Sequence, residues 1–150
     1  MPEPIVVGYS GTRYGMRVLQ YPAAAQVLSV GLWPVGEFHH GDCQGGDEEM
    51  HGMALTLGIP IVIHPPIKPE WRAWCQGAKL VLPSKPYLAR NEDIVQAVDA
   101  MICTPLTESP DVPGSPGTWR TGMFARELKK PLILILPDGT MTWENMDKLP

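Results

Sequence analysis

Three glycine-centred turns, each set where an apolar run hands over to a helical stretch, constrain this chain more than anything else in it. The first, Gly8-Tyr9-Ser10-Gly11-Thr12-Arg13, follows Ile5-Val6-Val7. The second, Gly41-Asp42-Cys43-Gln44-Gly45-Gly46-Asp47, follows Glu37-Phe38-His39-His40. The third, Gly114-Ser115-Pro116-Gly117-Thr118, comes shortly after Ala100-Met101-Ile102-Cys103. In an open parallel sheet such turns all emerge at the carboxyl edge of the strands, where ligands bind. Glycine lets backbone N–H groups approach an anion, and the helix that follows adds a partial positive charge. Three such turns in register predict one crevice for a phosphate-bearing ligand.

The stretches between the turns carry the two periods that such a sheet requires. Apolar runs at 5–9, 35–40, 59–64, 100–103 and 131–136 read as five strands, and Lys79-Leu80-Val81-Leu82 as a small extra one. A helical stretch is expected at 14–33, where Met16, Leu19, Ala23, Val27, Val30 and Leu32 make a loose apolar face. Pro22 inside it marks either a kink or the start of the helix. Asp47 caps a second helix at 48–57, with Met50, Met53, Ala54 and Leu57 on one face and Gly58 ending it. Asn91 or Glu92 opens a third helix that runs to Val98. A fourth spans 117–130, with Lys129 and Lys130 near its carboxyl end as the macrodipole favours. Much of 60–86 and 105–116 is rigid connector, rich in the chain's 17 prolines. Within the first of these, Trp71, Trp74 and Cys75 form one short helical turn. Residues 137–140 are a turn, followed by a tail ordered by Trp143. Alternating strands and helices, with strands apolar on both faces, predict an α/β layer fold with a mostly parallel open sheet of about five strands flanked by helices. Neither a repeat nor a linker divides the 150 residues. A single domain is expected, its core at about 5–136 and its tail at 137–150.

Charge and cysteine usage narrow the partners. A net charge of −4 gives no general electrostatic footprint for nucleic acid or an anionic membrane. The amino end carries an acid, and its apolar run is too short for a signal peptide. No apolar stretch approaches the ~18–20 residues needed to span a bilayer. Three scattered cysteines, Cys43, Cys75 and Cys103, argue against a disulfide framework and for a reducing cytoplasm.

Taken in order, the first turn, the block His40-Gly41-Asp42-Cys43-Gln44-Gly45-Gly46-Asp47, then Ala89-Arg90-Asn91, then Gly114-Ser115-Pro116-Gly117-Thr118 resemble the SLOG superfamily. This Rossmann-like group includes the lonely-guy cytokinin-activating phosphoribohydrolases, the DNA-processing protein A fold and the YpsA-type proteins. The likeness runs from Ile5 to Leu136 and is nearest to the small YpsA-like members. It implies a nucleotide or nucleotide-derived ligand, phosphoribosyl or ADP-ribose-like, over the sheet edge, and a homo-oligomer of two or more copies. The phosphoribohydrolases of the group carry a Pro-Gly-Gly-x-Gly-Thr-x-Glu block with a catalytic glutamate. Here Pro113-Gly114-Ser115-Pro116-Gly117-Thr118-Trp119-Arg120 keeps the phosphate part but has Arg120 where the glutamate would stand. A sensor or binding module is therefore expected first, and an N-glycosidase acting on a nucleoside monophosphate second.

The candidate ligand-binding residues are Gly8, Ser10, Gly11, Thr12 and Arg13 from the first turn, and Gly41, Asp42, Gly45, Gly46 and Asp47 from the second. Arg90 and Asn91, with Gly114, Ser115, Gly117, Thr118 and Trp119, complete the set. Arg13 and Arg90 offer guanidinium forks to phosphate. Ser10, Thr12, Ser115 and Thr118 offer hydroxyls, which serve helix capping equally well. Asp42 and Asp47 are the catalytic candidates: either accepts ribose hydroxyls or acts as a base or charge stabiliser in N-glycoside cleavage. The competing reading makes Asp47 a cap and Asp42 a turn stabiliser. Trp71, Trp74, Tyr87 and Trp119 are candidates to stack on a base, with Trp119 best placed by sequence. No metal or cofactor is expected. His39 and His40 are adjacent on a strand, so they face opposite sides of the sheet and cannot share an ion. Cys43 lies near a helix start, where a thiol pKa can fall, but has no evident base partner.

Overall fold

Residues 3–30 and 33–150 are described by the computed structural model. Leu32, expected on the first helix, lies outside them. In chain order the elements are β1 (Ile5–Gly11), α1 (Gln20–Val30), β2 (Val35–His40), α2 (Gly46–Thr56), β3 (Ile61–Ile63), β4 (Leu80–Val81) and α3 (Tyr87–Ala97). There follow β5 (Ala100–Thr104), α4 (Pro116–Glu127), β6 (Leu132–Ile135) and β7 (Met141–Glu144). One seven-stranded sheet results, in the order β4-β3-β2-β1-β5-β6-β7. All neighbours are parallel except β6 and β7. The chain thus builds outward from β1 through β2, β3 and β4, then crosses back to add β5 on the other side. That reversal makes the carboxyl ends of β1 and β5 a topological switch point, where an open sheet leaves a crevice.

The two-residue period of a strand sorts the core into two layers. From β1, Ile5, Val7 and Tyr9 enter the cluster shared with Ala24, Val27 and Leu28 of α1 and Met50, Met53 and Ala54 of α2. Ala100 and Ile102 of β5 and Ile133 and Ile135 of β6 point the same way. Their alternates Met101, Cys103, Leu132 and Leu134 meet Ile94, Val95, Trp119 and Ala125 on the opposite face, under α3 and α4. The inner strands β1, β3, β5 and β6 are buried on both faces, and β2 over its last three residues, as a parallel sheet requires. Gly8 sits in mid-strand where α3 presses closest. A Cβ there would run into Met101, Ile94 and Val98.

The sheet has seven strands, two more than the main runs predict. Leu80–Val81 is the small extra strand, and the tail supplies β7 by folding back antiparallel through the turn at 137–140. β1 extends to Gly11, so most of the first glycine turn is strand. The first helix begins only at Gln20, which leaves Pro22 in its opening turn, where a missing N–H costs nothing. α3 begins at Tyr87, a full turn before Asn91, because Pro86 fixes the entry and Arg90 N–H already bonds back to its carbonyl. Asp47 lies inside α2 rather than capping it. The cap position belongs to Gly45, whose φ of 86° a side chain rarely adopts. α4 stops at Glu127, leaving Lys129 and Lys130 beyond it. Among the described residues, no helix is long and apolar enough to cross a membrane.

Candidate ligand-binding site

A cavity of about 570 Å³ opens over the switch point, within the size range of small-ligand sites. All three turns reach it. β1 and the loop after it contribute Ser10, Gly11, Thr12 and Arg13; the second turn contributes Gly41 and Asp47. α3 contributes Arg90 and Asn91, and the start of α4 contributes Gly114, Ser115, Gly117 and Thr118. The first two turns are tied together directly: the Thr12 carbonyl accepts N–H bonds from Gly15 (3.2 Å) and Gly46 (2.9 Å). Gly45 is needed at this junction because a Cβ would collide with the backbone of Thr12 and Arg13.

Five expected residues lie elsewhere. Gly8 is packed beneath α3, as described. Gly45 and Gly46 form the back of the turn, with Gly46 against the Tyr9 hydroxyl, and do not line the cavity. Asp42 is fully buried with φ 56° and accepts from Arg72 Nε (2.8 Å) and the Cys75 amide (2.9 Å). It holds the 65–79 segment in place and has no oxygen free to orient a ribose or act as a base in the cavity. Trp119 is buried in the α3–α4 layer, its Nε1 donating to Thr107 Oγ1 (2.8 Å). It reaches a separate groove between α3 and α4 rather than this cavity. Of the four stacking candidates, Trp71 and Tyr87 line the cavity, together with Tyr9 and Tyr14. Position in the sequence favoured Trp119; only the packing of residues 65–86 across the cavity mouth brings Trp71 in.

The two helix starts facing the crevice differ electrostatically. The first turn of α2 carries Asp47, Glu48 and Glu49, which already complement its dipole, and the Gly46 N–H is spent on Thr12. α4 has no acid in its first turn, and Pro116, Gly117 and Thr118 all line the cavity. Pro116 has no N–H, so the orphan donors of this helix N-terminus are the amides of Gly117 and Thr118. Gly117 also admits the Tyr87 hydroxyl, which any Cβ there would displace.

Arg90 is only 3% exposed, and most of its donors are used within the protein. Nη1 donates to the carbonyls of Gly41 (2.5 Å) and His64 (3.2 Å), Nε to Asn91 Oδ1 (2.7 Å), and Nη2 to Cys43 Sγ (3.5 Å). It is therefore a buried brace between α3 and the second turn that keeps one edge toward the cavity. Arg13 is exposed and makes no ion pair among the described residues. Asp47 accepts from the Cys43 amide (3.1 Å). Burial pushes its carboxyl up to about 6, against the opposing pull of Arg90. Burial likewise raises the Cys43 thiol, so it is not an activated nucleophile.

Behind the second turn the histidines form two separate pairs. His39 bonds His64 (2.8 Å) and Glu37 (2.7 Å), while His40 bonds His51 (2.8 Å). The Asp42 amide donates to His40 Nδ1 (2.9 Å), so His40 Nε2 carries the proton given to His51 Nδ1, and His51 Nε2 donates to the Gln76 carbonyl (2.7 Å). Cys75 lies close enough to His40 and His51 for the three to surround an ion. The proton chain argues otherwise: a metal on His40 Nε2 would have to displace a proton fixed there by the backbone.

No family model and no curated protein matches the sequence. Solved structures do. The molybdenum cofactor binding protein of the phototrophic bacterium Rippkaea orientalis aligns with a TM-score of 0.66 at 18% identity, covering 91% of this chain and 78% of that one. The Moco carrier protein of Chlamydomonas reinhardtii aligns with a TM-score of 0.63 at 17% identity, covering 90% and 77%. The likeness is one of fold. Both chains share the Rossmann-like α/β architecture.

Proposed function

We propose that this chain binds a nucleotide or nucleotide-derived ligand over the β1–β5 switch point, as a sensor or binding module. One observation carries the reading. Three glycine turns converge on a single cavity that contains a helix start, that of α4, with open amides and no acid of its own. The ligand's phosphate rests on residues 114–118, with the free edge of Arg90 as counter-charge. The resemblance of the ordered sequence blocks to the SLOG superfamily supports the same ligand class. So do the neighbours, one of which binds and the other carries the molybdenum cofactor. That cofactor therefore belongs in the screen. Three free thiols, all raised by burial, support a reducing cytoplasm.

Calorimetry against AMP, ADP-ribose, NAD, cyclic nucleotides and the molybdenum cofactor tests the reading. At least one is expected to bind, and Gly117→Asp is expected to weaken it more than tenfold by bringing a charge and a clash to the phosphate position. Silence toward every phosphorylated ligand in the panel would remove the proposal.

A second reading, cleavage of a nucleoside monophosphate at its N-glycosidic bond, is favoured by the Asp47 carboxyl. It lines the cavity and is poised to exchange a proton near neutrality. Chromatography for free base after incubation with monophosphates tests it. Activity that survives Asp47→Asn would exclude this residue from the chemistry.

A further inference from the structure

The far wall of the cavity holds a group of side chains that phosphate binding does not use. Trp71 stands at its rim, half-buried, with its backbone fastened to the second turn. Its carbonyl accepts from the Gln44 amide (3.2 Å), and the next residue, Arg72, bridges to Cys43 and pairs with the buried Asp42 (2.8 Å). The edge of one ring faces the other between Trp71 and Tyr87, with centroids 6.3 Å apart and planes at 82°. The Arg13 guanidinium lies 6.0 Å from the Trp71 centroid and 5.6 Å from that of Tyr14, and Lys68 Nζ lies 4.6 Å from the Trp71 ring. Tyr87 links this wall to the phosphate end: its ring meets Trp71, and its hydroxyl packs where Gly117 leaves room.

A fixed indole beside an exposed guanidinium is an arrangement that holds a planar heteroaromatic ring by stacking and cation–π contact. From this geometry the structure assigns a second subsite: Trp71 and Arg13 clamp the heterocyclic base of a nucleoside monophosphate whose phosphate sits at the start of α4. The base stacks on the indole face, with the exposed Arg13 guanidinium over its other side. One tyrosine side chain separates the two ends, a span of the kind a pentose bridges between base and phosphate. The assignment rests on the phosphate reading above and adds the part of the ligand that phosphate binding leaves unspecified.

Paired titrations of the full chain with AMP and ribose 5-phosphate separate the two claims. The wild-type protein is expected to bind AMP about tenfold or more tightly than ribose 5-phosphate, the scale of one base stacked on one aromatic side chain. Trp71→Ala is expected to erase that preference while leaving ribose 5-phosphate affinity within about twofold, and Trp71→Phe to retain most of the preference. Thermal melts of both variants guard against misfolding, and Phe keeps a ring in place if Ala loosens the segment. Equal wild-type affinity for the two probes would overturn the clamp and leave the phosphate site standing. A Trp71→Ala variant that weakens both probes alike would also overturn it, since Trp71 would then only hold the segment. Binding of neither probe would sink the phosphate reading, and the clamp with it.

Discussion

Asp47 does most to set the chemistry of the cavity, because burial holds its carboxyl near 6 while the unfolded chain titrates it at the ordinary 3.8. Below the unfolded value both states are protonated and nothing is lost. As pH rises from 3.8 to 6, the unfolded chain releases a proton that the native state keeps, and folding is progressively penalised. Above 6 the full cost is present, about 3 kcal/mol at 1.36 kcal/mol per pKa unit. Asp47→Asn removes this term. In urea titrations the variant's stability relative to wild type is therefore expected to improve by about 2 kcal/mol between pH 4 and pH 7, part of the cost being present already at pH 4. A difference that does not change with pH would mean that Arg90 ionises Asp47 cheaply. His64, pushed down to about 4 by burial, works in the opposite sense. Protons taken up by the unfolded chain as pH falls below 6.5 are refused by the native state, so its share of stability is lost on acidification. Comparing the variant with wild type at each pH isolates Asp47 from this background.

At the scale of elements, the cavity depends on tethers that hold the loops after the strands. Gln20, the first residue of α1, is completely buried. Its Nε2 donates to the carbonyls of Pro105 (2.6 Å) and Ile135 (2.9 Å), just past β5 and at the end of β6, and its Oε1 accepts from the Arg17 amide (2.8 Å). One side chain thus fastens a helix start to two strand ends. Gln20→Ala strands two buried carbonyls and is expected to cost about 2–4 kcal/mol in chemical denaturation, since each buried unsatisfied group costs about 1–3 kcal/mol. A loss below about 0.5 kcal/mol would show that water replaces the amide. The segment of residues 65–79 is held in the same way, by Asp42 through Arg72 and the Cys75 amide. That is why an acid in a glycine turn, which reads as a ligand contact, is spent on structure. Nothing in local sequence distinguishes the two uses, because the partner is 30 residues away.

For the whole molecule, the order of the strands matters more than any single element. Because β5 adds beside β1 and not beside β4, turns separated by up to a hundred residues meet over one crevice. Beside the cavity, sharing Asn91 and Pro116 with it, lies a second groove of about 470 Å³ between α3 and α4, edged by the exposed Leu88 and Met123. The homo-oligomer implied by the sequence resemblance has an apolar contact available there. Light scattering across a concentration series is expected to give a mass above the 16.5 kDa of one chain. A mass that stays at one chain throughout would exclude self-association.

Fold class was legible because it depends on period. Runs such as Leu132-Ile133-Leu134-Ile135, apolar on both faces, fit a strand covered on both sides, and the glycine turns ahead of α2 and α4 fit strand-to-helix junctions, although the turn at 137–140 after this run leads back to β7. The glycines themselves were half legible. Gly117 and Gly41 reach the cavity, whereas Gly8 is a packing glycine and Gly45 a junction glycine. All four look alike in sequence, because what a missing side chain makes room for is supplied by distant residues. Trp119, the best placed stacking candidate by sequence, turns away from the cavity for the same reason: a helix turns its residues by about 100° each, and only the docking of α4 on the sheet decides which face meets the core. Sequence by itself therefore determined the alternation of strands and helices and the chemistry of the turns. Tertiary structure alone decided which of those residues face the cavity and which are consumed in holding one another, since that depends on contacts between segments that no local pattern encodes.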